Sequence, residues 1–287
     1  MGRHVGIVTH PSRQEALDLA ASVVSWLHER EVQVILSEPA ATALNRPDLL
    51  ADESHWRSAG FVVSLGGDGT ILTAARLVMP DSVPILGVHM GRFGFIAEVS
   101  PANVFVCMEA ALEGSLKTQD RMMIQAEILR AGSILHTTAG LNEVVIRSAL
   151  SHIIHIDTWL AGRPFATFPA DGLVLATPTG STAYALSVGG PLVAPLVDAF
   201  TVAPICPHTL NARPLLVPAS EVVEIEVEDD GAEVLVTVDG ADLATLEPGD
   251  RVRARRASCI TRLYVTADAG FYEKVRARYL YGQRVNG

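Results

Sequence analysis

The 287-residue sequence predicts an α/β N-terminal domain with a parallel sheet plus a β-rich, β-sandwich-like C-terminal domain, and a C-terminal helix returning to the first domain. Three observations predict this. Strand-like and helix-like segments alternate over the first third, which implies a parallel sheet with helices packed on it. Near Thr118 the pattern changes to strands separated by turns. The last segment, 271–280, is helical again. The expected boundaries are 1–116 for the first domain, with 268–287 packing back on it, and 117–267 for the second. Length agrees, since roughly 100–200 residues per domain favours two domains.

In the first domain, His4–Thr9 reads as a buried strand. Ser12 is placed to cap a helix carrying Leu17, Ala20, Val24 and Leu27 at helical spacing. Residues 32–36 and 61–65 read as further strands. A glycine loop follows at once and opens a helix over 70–79. Residues 84–88 form another strand, and Ser100-Pro101 starts a helix running to about Leu112. In the second domain the expected strands are 122–129, 153–160, 173–176, 222–227, Val234–Val238, 252–254 and 260–265. Strict alternation from Val223 to Glu228 buries one face and wets the other. Turns are expected at Ala131-Gly132-Ser133 and Asp229-Asp230-Gly231. One helix interrupts the strands, beginning near Gly180.

Hydrophobic residues make up 49% and charged residues 19%, enough apolar material for a sizeable core. A net charge of −10 argues against nucleic acid or an anionic membrane as partner, because both are bound through clustered Lys and Arg. Anionic small ligands remain compatible, since backbone dipoles can hold them. Lysine occurs only at Lys117 and Lys274. Cys107, Cys206 and Cys259 lie far apart and form no CxxC pair, so a reducing, cytoplasmic location is expected. No apolar run reaches the ~18–20 residues of a membrane span, and the first residues lack a signal-peptide pattern.

The strongest motif is Gly66-Gly67-Asp68-Gly69-Thr70, between an apolar strand and a helix. Glycines let backbone approach a ligand closely, and a helix start offers free N–H groups and a positive dipole end for phosphate. A carboxylate would repel phosphate there. Asp68 therefore suggests another task, accepting a proton from a hydroxyl or organising a divalent cation. The plain alternative is a turn in which Asp68 caps the helix.

A second segment runs from Asp171 through Thr177-Pro178-Thr179-Gly180-Ser181-Thr182-Ala183-Tyr184, dense in hydroxyls. It suits ribose or phosphate, with Tyr184 packing on a flat base, though Ser and Thr are also ordinary caps. Asn142-Glu143 is a polar pair in an apolar run. It is suited to an adenine edge and ribose hydroxyls, but in isolation it reads more readily as a surface turn. Pro204 to Pro214 reads as a stiff connection from which His208 and Arg213 project. No P-loop lysine motif and no dehydrogenase GxGxxG is present. The histidines show no HExxH spacing. His152 and His155, on an alternating segment, should point to opposite faces and form no metal pair, so no protein metal ligand is expected.

Together GGDGT, Gly87–Phe95 (GVHMGRFGF), LNEVVI, DGLVLATPTGSTAYALSVGGP, PICPHTLNARPL and Val238-Asp239-Gly240 resemble the NAD kinase family in order and spacing over nearly the whole chain. GGDGT alone is not specific, because lipid kinases and phosphofructokinases carry close relatives of it; the TPTGSTAY segment with its flanking motifs is specific. The resemblance implies Asp68 as catalytic base, with Gly66, Gly67, Gly69 and Thr70 around the phosphates. It implies that Asn142 and Glu143 bind the adenosine half, that Thr182, Ala183, Tyr184 and Ser187 wrap the nucleotide, and that Asp171 touches the nicotinamide side. In the family that Asp can act across a subunit interface, which implies a homodimer or homotetramer. His152 falls near a position that contacts NAD. The chain departs from the family at Ala241, where Gln is frequent, at Thr73 and near Pro169, where basic residues are common, and at His89, where Asn is usual.

The implied reaction moves a phosphoryl group from ATP or polyphosphate to the 2′-hydroxyl of the adenosine ribose of NAD. With no lysine in the glycine loop, a divalent cation, Mg²⁺ foremost, is expected to neutralise charge, held largely by the donor's own oxygens. Two rivals stand beside it. A lipid kinase of the diacylglycerol type should show a basic or apolar membrane-facing patch. A non-catalytic dinucleotide sensor should bind without turnover.

Overall fold

The structure, a computed structural model, describes residues 4–91, 94–150, 152–228, 231–266 and 270–279. In chain order the first elements are β1 (His4–Thr9), α1 (Gln14–His28), β2 (Gln33–Leu36), α2 (Glu38–Ala43), α3 (Glu53–Arg57), β3 (Phe61–Gly66), α4 (Asp68–Val78), β4 (Ile85–His89) and α5 (Val104–Leu112). There follow β5 (Thr118–Arg130), β6 (Ser133–Gly140), β7 (Glu143–Ser148), β8 (Ile154–Leu160), β9 (Arg163–Ala170), β10 (Gly172–Ala176) and α6 (Tyr184–Ser187). The remainder is β11 (Ala199–Ile205), β12 (Leu215–Pro218), β13 (Val223–Val227), β14 (Val234–Val238), β15 (Ala241–Leu246), β16 (Arg251–Tyr264) and α7 (Phe271–Tyr279). The chain divides into two units, Met1–Asp120 with Thr261–Gly287, and Arg121–Ile260. These limits lie a few residues from the expected ones because β5 and β16 each run through a boundary.

In the first unit β2, β1, β3 and β4 pair in parallel in that order, and the end of β16 adds Leu263 beside Ile85. Six consecutive buried residues in β1 and in β3 mark strands covered on both faces. α1 turns Ala16, Ala20, Val23, Val24 and Leu27 onto the sheet. The parallel direction brings the carboxyl ends Thr9, Leu36, Gly66 and His89 to one edge, where open α/β sheets bind ligands. α1 is preceded by Arg13 without a side-chain cap, so Ser12 does not cap it. α4 begins at Asp68, two residues earlier than expected.

In the second unit β12-β11-β10-β7-β14-β15 form an antiparallel sheet. A second set joins β5, β6, β8, β9, β13 and β16. Their inner faces share one core, with Ile124, Ile156, Val223 and Val252 against Val144, Leu173, Phe200 and Val236. This is the expected sandwich. Six strands were not legible: β6, β7, β9, β11, β12 and β15. Prolines at 164 and 169 obscure β9, which lies at a sheet edge where Pro is tolerated. The expected strands 252–254 and 260–265 are one strand, β16. Between them Arg255 and Arg256 stay in the ladder because each pairs with an acid, Glu127 at 2.7 Å and Asp198 at 2.5 Å. The expected turn at 229–231 rests partly on Asp229 and Asp230, outside the described residues, as are Ser151 and the chain end from Leu280. No helix among the described residues is long and apolar enough to cross a membrane.

Candidate active site

The glycine loop sits where β3 ends. Gly67 takes an extended conformation before α4, and its N–H donates to Thr70 Oγ1 at 3.4 Å. Asp68 does not cap α4. Its side chain turns to the segment after β4, where Oδ2 accepts from the Phe95 N–H at 2.9 Å, and Oδ1 from Ile96 and Ala97, each at 3.1 Å. The approach requires Gly94, because a Cβ there would overlap Asp68 Oδ1. Each carboxylate oxygen accepts about two hydrogen bonds. Oδ1 is therefore filled and Oδ2 keeps one acceptor site. Arg92 and Phe93 of the same motif lie outside the described residues.

Beside the loop is a cavity of about 560 Å³, lined by Thr9, Arg13, Ser37, Gly67, Gly69 and Thr73 among others. Thr9 Oγ1 and Ser37 Oγ are buried without a hydrogen-bond partner, a cost a bound polar ligand would relieve. The glycine loop lacks lysine, but Arg13 reaches the cavity from the loop after β1 and donates to the Met90 carbonyl at 2.5 Å. A guanidinium therefore lies at the wall of this cavity. Among the described residues no three His, Cys, Asp or Glu side chains cluster to hold a metal.

The second unit places Asn142 and Glu143 at the start of a central strand, not on a surface turn. Both are buried, because β7 pairs with β10 and β14. The N–H groups of Leu141, Asn142 and Glu143 donate to Asp239, at 2.7, 2.8 and 3.1 Å. Asn142 Oδ1 and Glu143 Oε2 are buried without partners. Burial, and then the Asp239 charge, push the Glu143 carboxyl up to about 8, against a Tyr184 N–H donated to it. The hydroxyl-rich segment crosses here. Gly180 abuts the Asn142 carbonyl, where a Cβ would overlap it. Three of the hydroxyls turn to nearby backbone carbonyls. Thr177 donates to the Leu141 carbonyl, Ser181 to Pro178 and Thr182 to Thr179. What remains for a ligand is the exposed Tyr184 ring, the exposed Ser187, half-buried Thr182 and Ala183, and the unpartnered Asn142 and Glu143 atoms.

Asp171 and His152 are not with them. Glu143 pairs with Ala176, whereas Asp171 precedes Gly172, which pairs with Arg147. The two ends lie about four residues apart, ~14 Å along the strands. At the Asp171 end, Ser148 Oγ accepts from the His152 N–H at 3.2 Å, and the Ser148 N–H donates to the Asp171 carbonyl at 3.0 Å. His208 Nε2 stands 4.0 Å from Asp171 Oδ1. His152 precedes β8 instead of lying on it, so the opposite-face argument does not apply to it. Arg213 is turned onto the carbonyls of Leu210 and Ala212. The sequence alone gives Arg13, Gly94 and His208 no role. A glycine next to three residues that a distant aspartate needs gives no local signal.

A parallel sheet with a glycine loop at its carboxyl edge, and a loop carboxylate with one open acceptor site, fit a phosphate-handling enzyme. The sequence matches the ATP-NAD kinase N-terminal domain over residues 5–116 and the ATP-NAD kinase C-terminal domain over 141–265. It is 37% identical to the NAD kinase of Moorella thermoacetica over 98% of this chain and 90% of that one. It is also 37% identical to the NAD kinase of Geobacter metallireducens over 93% and 94%. Yeast NADH kinase, solved with NADH, superposes with a TM-score of 0.88 at 25% identity over 99% of this chain and 90% of that one. An Archaeoglobus fulgidus NAD kinase shares the fold at 23% identity, with a TM-score of 0.73, 97% of each chain being covered. The chain belongs to the NAD kinase family, and it is an enzyme of that kind.

Proposed function

We propose that Asp68 is the base that accepts the proton of the adenosine 2′-hydroxyl of NAD as the phosphoryl group arrives. The single observation behind this is the half-filled Oδ2: three backbone N–H groups fix the carboxylate and leave one acceptor site on it. A ribose hydroxyl is a poor nucleophile, so positioning and charge neutralisation supply most of the acceleration. The donor, ATP or polyphosphate, lies over the 66–69 backbone, with its charge met by the α4 start and by Arg13. Mg²⁺, held by the donor's oxygens and water with Asp68 as the nearby protein carboxylate, would supply charge neutralisation when bound. Asn142 and a protonated Glu143 take the adenosine half, and Tyr184 packs on the base.

The family resemblance supports reading Asp171 as serving the site of another subunit in a homodimer or homotetramer, with His152 near the bound NAD. The wide spacing of Cys107, Cys206 and Cys259, with no CxxC pair, supports work in the reducing cytoplasm. Mixing two inactive variants tests the shared site. Asp68→Asn and Asp171→Ala, each inactive alone, should regain turnover when their subunits are exchanged, because one mixed site is then intact. No recovery after exchange would place Asp171 in its own subunit's site.

A further inference from the structure

We propose that Lys274 is a positioning residue for phosphoryl transfer: its ammonium holds the Phe95–Ile96 peptide, and that peptide holds the Asp68 carboxylate. The inference rests on Asp68 being the base. The geometry is a short chain. Lys274 Nζ donates to the Phe95 carbonyl at 3.0 Å and to Glu98 Oε1 at 2.6 Å. The N–H of that same peptide, on Ile96, donates to Asp68 Oδ1 at 3.1 Å, and the Phe95 N–H donates to Oδ2. A cation at the carbonyl end of a peptide strengthens the donor at its other end, because hydrogen bonds in series polarise one another. α7 grips Phe95 further: Tyr279 stacks on its ring at 6.3 Å and the Arg278 guanidinium lies 5.3 Å from its centroid.

A fold-stabilising role explains the pair poorly. Lys274 and Glu98 are 3% and 8% exposed in their side chains. A buried ion pair often adds nothing over apolar residues of the same size. What apolar residues would not do is fix one peptide in one orientation. The Thr266 N–H holds Glu98 Oε2 at 3.1 Å, so the anion orienting Lys274 is itself anchored. Of the chain's two lysines, one is therefore spent beneath the base instead of at the phosphates.

The test uses the full chain and reads kcat, KM for NAD and Tm. Lys274→Met should lower kcat on the order of 10²-fold, the effect of a ~1 Å misplacement of a reacting group, with KM changed less than about twofold, as for a group acting on the transition state alone. Lys274→Arg should recover part of the loss. Lys274→Met with Glu98→Gln removes the orphaned carboxylate and should restore Tm without restoring kcat. On an Asp68→Asn background, Lys274→Met should cost nothing further, since coupled residues do not add. Wild-type kcat in the Lys274→Met/Glu98→Gln chain, independent multiplication with Asp68→Asn, or failure of both Met variants to fold would each overturn the proposal. An unchanged kcat in Asp68→Asn alone would instead overturn the reading of Asp68 as base.

Discussion

Asp68 and Asp239 lie in different units and do the same thing to the backbone. Each follows a strand, and each takes three consecutive N–H groups, the first on Oδ2 and the next two on Oδ1. Each triplet is preceded by a glycine, Gly94 or Gly140, whose Cβ would press on the carboxylate it serves. The surroundings differ. Next to the first triplet stands the buried ammonium of Lys274. The second triplet ends in Glu143, a buried acid that Asp239 helps to keep protonated. On the proposed function, one motif serves two ends: beside a cation it would present a carboxylate to a reacting hydroxyl, and beside an acid it would prepare a neutral carboxyl for a nucleoside.

The sharpest way to break this comparison is to remove the charge from the first aspartate. Asp68→Asn keeps the volume, so kcat should fall ~10²–10⁴-fold, the usual worth of a general base, with Tm and NAD binding retained. Unchanged turnover would make the two aspartates equivalent structural clasps. Asp239→Ala should do the reverse. It leaves three N–H groups without their acceptor, at ~1–3 kcal/mol for a buried group, so thermal unfolding should move down by many degrees. A variant as stable as the parent would show that the second clasp holds nothing.

A smaller effect sharpens the contrast through pH. Burial, and then the Asp239 charge, push the Glu143 carboxyl from its ordinary 4.5 up to about 8 in the folded chain. Between those values the folded state binds more protons than the unfolded one. Its stabilising contribution is complete below about pH 4.5 and is lost as pH rises through 8, by at most about 1.4 kcal/mol per pH unit. Calorimetry of the ligand-free protein from pH 5 to 9 should show this decline in the parent and a flatter profile in Glu143→Gln. Parallel profiles would mean that burial and the Asp239 charge do not raise the Glu143 carboxyl.

The smallest effect concerns the turn that carries the second clasp. Asp239 and Gly240 both have positive φ, +50° and +75°, the geometry of a tight hairpin between β14 and β15. Ala241 follows it where the family resemblance favours Gln. Ala241→Gln should lower KM for NAD by the worth of one neutral hydrogen bond, ~0.5–1.5 kcal/mol. If KM stays put while Asp242→Ala raises it, the contact belongs to Asp242.

Local pattern carried much of this protein. Alternating segments and the change near Thr118 defined the two kinds of unit, and GGDGT with its companion motifs marked Asp68, Asn142 and Glu143, because glycines, hydroxyls and buried runs act over a few residues. Pattern misjudged Asn142-Glu143 as a turn, since burial depends on which strands lie alongside. Only the tertiary structure decided that Asp68 faces 95–97 and not its own helix, that Arg13 reaches the cavity beside the glycine loop, that Asp171 sits at the far end from Glu143, and that Lys274 holds the Phe95 carbonyl. Those pairings join residues from 27 to 179 positions apart. A hydrogen bond at such separation is set by how strands are ordered in a sheet, and no run of neighbouring residues encodes it.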